Sequence, residues 1–400
     1  MIKKVVISGA GIGGLTAALC LLKKGFEIQV LEQAPELKAV GAGLQLSANA
    51  TRVLCNLGLQ SVLETVTIKP GGKCIRLWNT GQEWKLFDLG SESIERYGYP
   101  YMMLYRPDLH NILVDALNER CPGALKLGAK TDQISQDDQG VQVRTESGEV
   151  FTGDVLIGAD GVHSVTRAQW VAEDKPEFSG CIAWRGVLPI EKLPASMQGP
   201  SGVNWVGPGA HVIHYPVNGG RLVSFTGIVE KDSWTTESWT EQGSIEECLQ
   251  DFNGWHEDVQ TLVQQLEAPL RWAMMVREPL DNWTNGRITL LGDAAHPTLP
   301  FLAQGAGMAI EDGCVIARAI ETHAADPEHA LRVYQATRIE RTTRIVHDSK
   351  ANMHRFHNPK LASAAGAAEY VANAWEQSTT RDLYGWLFSY APETEPLAII

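Results

Sequence analysis

Gly9, Gly11, Gly14 and Glu32 have the types and spacing that hold a dinucleotide. They lie in VVISGAGIGGLTAALCLLKKGFEIQVLE, residues 5 to 32: an apolar run, a glycine-rich turn, a helical pattern, a second apolar run and a terminal acid. In such a βαβ unit Gly9 permits the tight turn, Gly11 lets the backbone approach a pyrophosphate, and Gly14 packs helix against strand. The helix N-terminus then faces the phosphates. Glu32 is placed to accept hydrogen bonds from both hydroxyls of an adenosine ribose, and a 2′-phosphate there would meet a carboxylate. The adenosine therefore belongs to FAD or NAD, not NADP. Lys3 and Lys4 followed by eighteen uncharged residues also fit a signal peptide, but three of those residues are the motif glycines and the run ends in Lys23-Lys24.

Three other segments carry chemistry. DVLIGADGVHSVTR, residues 154 to 167, is a strand pattern ending in Asp160-Gly161. GRITLLGDAAHPTLPFLAQGAGMAIEDG, residues 286 to 313, is a strand pattern ending in Gly292-Asp293, then a loop containing Pro297 and Pro300, then Gly305-Ala306-Gly307 opening a helix. NWVGPGAHVIHYPVNGG, residues 204 to 220, holds His211, His214 and Tyr215. On a strand His211 and Tyr215 share one face and His214 takes the other.

The glycine-rich unit and the segments 154 to 167 and 286 to 313 together resemble the three fingerprints of the single-component FAD-dependent aromatic hydroxylases, the family of p-hydroxybenzoate and salicylate hydroxylases. The resemblance implies FAD as cofactor, NADH or NADPH as co-substrate, O2, and oxygen transfer to an electron-rich ring. It places Asp293 at the ribityl hydroxyls, as befits an acid at the carboxyl end of a buried strand. Arg106, in YRPDLH, matches an arginine that lies against the flavin's ribityl and phosphate region. The helix opening at Gly305 offers free N–H donors and a positive dipole end to the anionic edge of reduced flavin. Asp160 and Gly161 resemble a motif associated with both FAD and NAD(P)H; with no second GxGxxG, nicotinamide would dock transiently.

At the substrate the resemblance implies His211 as partner of a phenol, Tyr215 as a wall, and the loop after His296-Pro297 as a border of the ring. Pro300 stands where 3-hydroxybenzoate 6-hydroxylases carry glutamine, and the HPxLP pattern is similar to salicylate-type enzymes. The expected substrate is thus a small hydroxylated aromatic acid, salicylate first (giving catechol with loss of CO2), with 3-hydroxybenzoate or 6-hydroxynicotinate hydroxylation as alternatives and a flavin dehydrogenase or oxidase as a distant one. Arg185 and Arg221 are each placed to meet a carboxylate, and Trp184, Trp205, Trp234, Trp239, Trp255 and Trp272 to wall a ring pocket or fill the core.

The elements that must position these residues follow from pattern and length. Four hundred residues predict more than one domain. The fold class is α/β: a Rossmann-like FAD-binding domain (1–67, 100–175 and 275–330), interrupted by a sheet-rich substrate domain (68–99 and 176–274), with a C-terminal helical segment (331–400). Helical periodicity appears over 106–117 and 244–266, a hairpin over 141–157, and antiparallel strands over 181–229. Seven scattered cysteines form no CxxC or Cys/His cluster, which predicts neither disulfides nor a metal site and fits a reducing cytoplasm. A net charge of −13 without a basic run disfavours nucleic acid, and no segment reads as a membrane anchor. An anionic substrate then needs a locally positive pocket. Monomer and homodimer both fit.

Overall fold

The computed structural model describes residues 1–37, 41–171, 175–233, 242–375 and 377–400. Two sheets organise them. The first has six strands in the order Thr284–Asn285, Ile288–Leu290, Val155–Gly158, Lys4–Ser8, Glu27–Leu31, Leu125–Lys126. Only the first pair is antiparallel; the others run parallel, with Val5 opposite both Val155 and Ile28. Val5, Val6 and Ile7 are fully buried, as a parallel sheet covered on both faces requires. The helices Ile12–Lys23 and Gly305–Thr322 cross in close contact on it: a Cβ on Gly313 would lie 2.8 Å from the Ala17 backbone nitrogen.

The second sheet has seven strands in the order Leu270–Val276, Glu177–Pro189, Leu222–Glu230, Ala210–Val217, Gly202–Gly207, Lys73–Leu77, Glu83–Phe87. All neighbours are antiparallel except Gly202–Gly207 with Lys73–Leu77. Its register sets rows across the sheet: Ala183, Ile228 and His211; then Arg185, Thr226, Ile213 and Asn204; then Ser224 and Tyr215. Gly202 lies opposite Lys73 and carries the third row onto the Lys73–Leu77 strand. The alternating residues Trp184, Val212 and Trp205 take the other face and pack with Cys248, Phe252, Val259 and Leu262. One face therefore belongs to a core, and the other is shared between packing, where Leu77, Val206 and Ile228 cluster with Leu299, Phe301 and Phe356, and a cavity.

Two expected elements are divided. The 141–157 hairpin ends at Gly153: Gly140–Thr145 pairs antiparallel with Val150–Gly153, but Val155–Gly158 joins the parallel sheet. Asp154 makes the switch, its carboxylate accepting the backbone N–H groups of Lys3 (2.6 Å) and Lys4 (2.8 Å). The 244–266 helix is two helices, Ile245–Asp251 and Glu257–Gln264, parted by Gly254 at φ +77°. The helices Pro327–Phe356, Ala364–Ala374 and Gln377–Phe388 follow the nucleotide sheet. No helix among the described residues is long and apolar enough to cross a membrane.

Candidate active site

A cavity of about 580 Å³ runs between the two sheets. At one end it is lined by Gly11, Arg106, Asp293, Gly305 and Ala306, and at the other by His211, Tyr215 and Pro297. Gly9, Gly14, Glu32, Asp160 and Gly307 are not among the lining residues. In an acidic chain the lining is cationic, with Lys73, Arg106, Arg185 and Arg277 against the single carboxylate of Asp293.

The nucleotide end fits FAD in shape and in donors. Gly9 has φ +104°, and a Cβ there would lie 2.3 Å from the Ala159 carbonyl oxygen. A Cβ on Gly14 would lie 2.1 Å from the Gly9 oxygen, whereas one on Gly11 would meet nothing within 4 Å. The turn is closed behind and open in front, where a pyrophosphate approaches the start of Ile12–Lys23. Glu32 is held by backbone: Oε2 accepts from Ala10 N and Oε1 from Ala34 N, both at 2.9 Å, and each oxygen keeps lone pairs for ribose hydroxyls. Glu32→Ala is expected to weaken FAD by ~1 to 3 kcal/mol, the range for a lost charge-assisted bond. Equilibrium titration of apoprotein with FAD measures it, and unchanged affinity would remove Glu32 from the site.

Arg106 opens the helix Arg106–Arg120 and makes no side-chain hydrogen bond or ion pair among the described residues. Asp293 is exposed to the cavity yet enclosed by protein; burial raises its carboxyl pKa, with His296 and Arg106 drawing it back. The first N–H groups of Gly305–Thr322 have no intrahelical acceptor, and the first to find one is Met308 N, on the Gln304 oxygen at 2.7 Å. Gly307 is turned away, toward Asn49 and Gln304. Asp160 is engaged by its own chain, accepting from Thr166 N (3.0 Å), Thr166 Oγ1 (2.9 Å) and the Ser164 hydroxyl, so that Gly161 and not Asp160 meets the cavity.

His296 turns inward from the loop: its Nε2 lies 2.8 Å from Asp312 Oδ2, in a fully buried network with Glu311 and Arg338. The helix Pro327–Phe356 also holds the ring-bordering loop, through Ser349 Oγ to the Leu299 oxygen (2.5 Å) and Asn352 Nδ2 to the Phe301 oxygen (2.8 Å).

At the substrate end His211 is 3 % exposed. Its Nδ1 lies 2.7 Å from His357 Nε2, and His357 Nδ1 lies 2.8 Å from Glu230 Oε1, whose side chain is 46 % exposed. The ionised carboxylate can only accept, so His357 Nδ1 donates to it, His357 Nε2 accepts from His211 Nδ1–H, and His211 Nε2 is left as an acceptor. Burial, then His357 and Lys73, hold the His211 imidazole well below its ordinary pKa, and the His357 hydrogen bond lowers that of Glu230. Such an imidazole passes a proton on and does not store it. Tyr215 is buried and its pKa raised by that burial, with Arg185, Gln45 and Ser224 opposing.

Arg185 reaches the cavity and lies 4.2 Å over the Trp272 ring, its Nε without a partner, whereas Arg221 is exposed and bonded to Asn218 Oδ1 (2.7 Å). Of the tryptophans, Trp272 lines the cavity; Trp184, Trp205 and Trp255 belong to the core on the far face, and Trp234 and Trp239 lie outside the described residues. The sequence reading missed His357, Glu230 and Lys73. No local spacing marks them, since His357 and, through it, Glu230 reach His211, and Lys73 reaches the cavity, only through the assembled fold.

The chain is similar to known proteins along nearly all its length. Residues 3–349 match the family model described as FAD binding domain. The 3-amino-4-hydroxybenzoate 2-monooxygenase PtnB3 of Streptomyces platensis is 35% identical over 388 residues, covering 97% of this chain and 96% of that one. The 3-hydroxybenzoate 6-hydroxylase of Polaromonas naphthalenivorans is 35% identical, covering 96% of each. Among solved structures, HpxO of Klebsiella pneumoniae, crystallised with FAD and uric acid, superposes with a TM-score of 0.81 at 26% identity, covering 97% of this chain and 96% of that one. Glycine turn, carboxylate-ended strand and ring pocket thus stand in one cavity, and the chain belongs to the FAD-binding-domain family as an FAD-dependent aromatic-ring monooxygenase.

Proposed function

We propose that the protein hydroxylates a small ring acid bearing a hydroxyl group and leaves its carboxylate in place, as in 3-hydroxybenzoate or amino-hydroxybenzoate hydroxylation. The observation that carries this is the pairing, on one sheet face and in one cavity, of the acceptor His211 and the half-buried cation Arg185. FAD, reduced by NAD(P)H, supplies activated oxygen when bound. The residues of the chain do the rest. Gly11, Glu32, Arg106, Asp293 and the Gly305 helix N-terminus would hold the cofactor. Arg185 takes the carboxylate in a charge-assisted bond, and Trp272 and Tyr215 wall the ring.

His211 Nε2 accepts the phenolic proton, His211 Nδ1–H passes one to His357, and His357 Nδ1–H passes one to Glu230 at the surface. The electron pair stays on the phenolic oxygen and enriches the ortho and para carbons. Phe301 and Phe356 lie 5.4 and 5.1 Å from the His211 ring and keep water from that face.

Salicylate, first in the sequence reading, gives way to the 3-hydroxybenzoate alternative: two relatives at 35% identity are named for ring acids hydroxylated away from the carboxylated carbon, whereas the 6-hydroxynicotinate alternative, named for a relative at 34%, places oxygen at position 3, the carbon that bears the carboxylate of nicotinate. A panel of 3-hydroxybenzoate, 3-amino-4-hydroxybenzoate, 6-hydroxynicotinate and salicylate under isotopically labelled O2 tests the reading. The expected product keeps its carboxylate and gains one labelled oxygen. A decarboxylated product as the fastest, from salicylate or from 6-hydroxynicotinate, would reverse the choice, and turnover without label would point to a dehydrogenase.

A further inference from the structure

Two buried side-chain atoms on residues lining the cavity have no hydrogen-bond partner among the described residues: Arg185 Nε and Asn204 Oδ1. The first is a donor and suits the carboxylate assigned to Arg185 above. The second is an acceptor, on a residue 1 % exposed, and no group assigned above bonds to it. A buried amide left bare costs free energy, and a leucine would fill the same space without that cost.

The sheet around Asn204 supplies no donor. Asn204 pairs with Ile213 on one side and with Ile75 on the other, both apolar, and Val206 follows it on the same face. Lys73 and His211 are its diagonal neighbours on the two flanking strands, and neither is hydrogen-bonded to its Oδ1. Because Val206 pairs with His211, His211 lies one strand over and two residues along from Asn204, roughly 7 to 8 Å between Cα atoms, with both side chains lining the cavity. His211 Nδ1 is engaged with His357, and its Nε2 is the acceptor for the phenolic proton. The cavity thus sets two acceptors side by side, and one ring hydroxyl gives its proton to only one of them.

We propose that Asn204 is a substrate-binding residue that reads a second donor on the ring: its Oδ1 accepts a hydrogen bond from an amino or hydroxyl group on the carbon next to the phenolic one. The preferred substrates are then ring acids that carry an ortho-aminophenol or catechol unit. This rests on the hydroxylated ring acid reading above and deepens it. No bond forms or breaks at Asn204; the amide fixes the rotation of the ring and so keeps the phenolic oxygen at His211. A ring with only a methyl group at that carbon leaves Oδ1 bare, and the site rejects it for that reason. Arg185 stands in the Asn204 row three strands along, ~14 Å between strand axes at the usual spacing, a span covered by a benzoate, a hydrogen bond at each end and the long arginine side chain.

The test uses the FAD-loaded enzyme and two ligand pairs that differ only in the donor: 3-amino-4-hydroxybenzoate against 4-hydroxy-3-methylbenzoate, and 4-amino-3-hydroxybenzoate against 3-hydroxy-4-methylbenzoate. The second pair moves the hydroxyl from para to meta, so the comparison does not depend on which position the enzyme uses. Binding is read without turnover from the change in flavin absorbance, and kcat/KM from hydroxylated product. In the parent the amino member of at least one pair should be favoured ~10- to 100-fold, the range for leaving a buried polar group unpaired. The dihydroxy analogue, with O–H in place of N–H, should share the advantage over its methyl counterpart. Asn204→Leu should erase the preference, bind the methyl members at least as well as the parent does, retain FAD and melt no lower, because it removes a bare polar group. Asn204→Ala gives a second variant without the acceptor and with room to spare.

A parental preference that survives in both variants would overturn the role of Asn204, as would a parent that does not tell amino from methyl. Asn204→Leu with a lowered melting temperature and an unchanged preference would make the amide a structural group instead. A parent that favours 4-hydroxy-3-methoxybenzoate over its amino analogue would turn the amide's N–H, and not its oxygen, toward the ring, and would overturn the inference too. In each of these cases hydroxylation of ring acids by the parent leaves the functional reading intact, whereas a parent that binds no ring acid would overturn both.

Discussion

His211→Ala should retain FAD and slow ring hydroxylation by ~10² to 10⁴, the range for a positioned acid–base group. NAD(P)H oxidation should persist in part, with oxygen released as peroxide instead of entering the ring. The split follows from the site: flavin reduction needs only the nucleotide end of the cavity, whereas oxygen transfer needs a ring activated at its phenolic oxygen. His357→Ala leaves His211 in place but removes its outlet at 2.7 Å, so it should show a smaller loss of the same kind. Rapid mixing separates the two half-reactions, and product analysis gives the coupling. Coupled hydroxylation at the parental rate in His211→Ala would shift the role to Tyr215 or to the substrate's own ionisation in water.

The parts of the site legible in the sequence are those whose chemistry is local. Gly9, Gly11 and Gly14 lie within six consecutive residues, and each meets the contact, or the open space, that its spacing implied. His211 and Tyr215 needed only a period of two, and His214 does take the opposite face. Register across chain distance was not legible. Lys73 enters the ring pocket because its strand pairs in parallel with Gly202–Gly207, and nothing in the Lys73–Leu77 pattern announces that partner.

His357 is 146 residues from His211 and arrives at the end of a 30-residue helix. The tryptophans show the same limit from the other side. Their content suggested a ring wall, but alternation sends Trp184 and Trp205 to the core face and only the edge strand brings Trp272 to the cavity. Asp160 shows a motif residue whose side chain is consumed by its own helix start, leaving its glycine to face the ligand.

Arg338→Met should be the most destabilising of these substitutions, costing ~3 to 5 kcal/mol, the range for stripping one partner from a buried ion cluster. Arg338 is fully buried, with one guanidinium nitrogen 2.6 Å from Glu311 and Nε 2.7 Å from Asp312, both themselves fully buried. Arg341 still reaches Glu311 at 2.8 Å and His296 still reaches Asp312 at 2.8 Å, so the cluster loses its centre and not all of its compensation.

Burial by itself would raise both carboxyls; His296 and Arg338 overcome it at Asp312, holding it at about 2, and Arg341 and Arg338 at Glu311, also lowered. Because the folded value of Asp312 lies below an ordinary aspartate's, near about 3.9, its contribution is complete above that pH and is lost as pH falls toward the folded value. The parent should therefore lose stability on acidification across that window, and Arg338→Met should lose less, having already forfeited part of it.

Glu311 and Asp312 stand on the helix that begins at Gly305, and Asp312 also accepts the Gly292 N–H at 3.1 Å, so the variant should release FAD more readily even where it remains folded. Adding Asp312→Asn to Arg338→Met removes the stranded charge and should recover part of the loss. Thermal melting at several pH values and FAD retention on gel filtration measure these effects. A variant as stable as the parent, with the same acid profile, would mean that Arg341 and His296 alone satisfy both carboxylates.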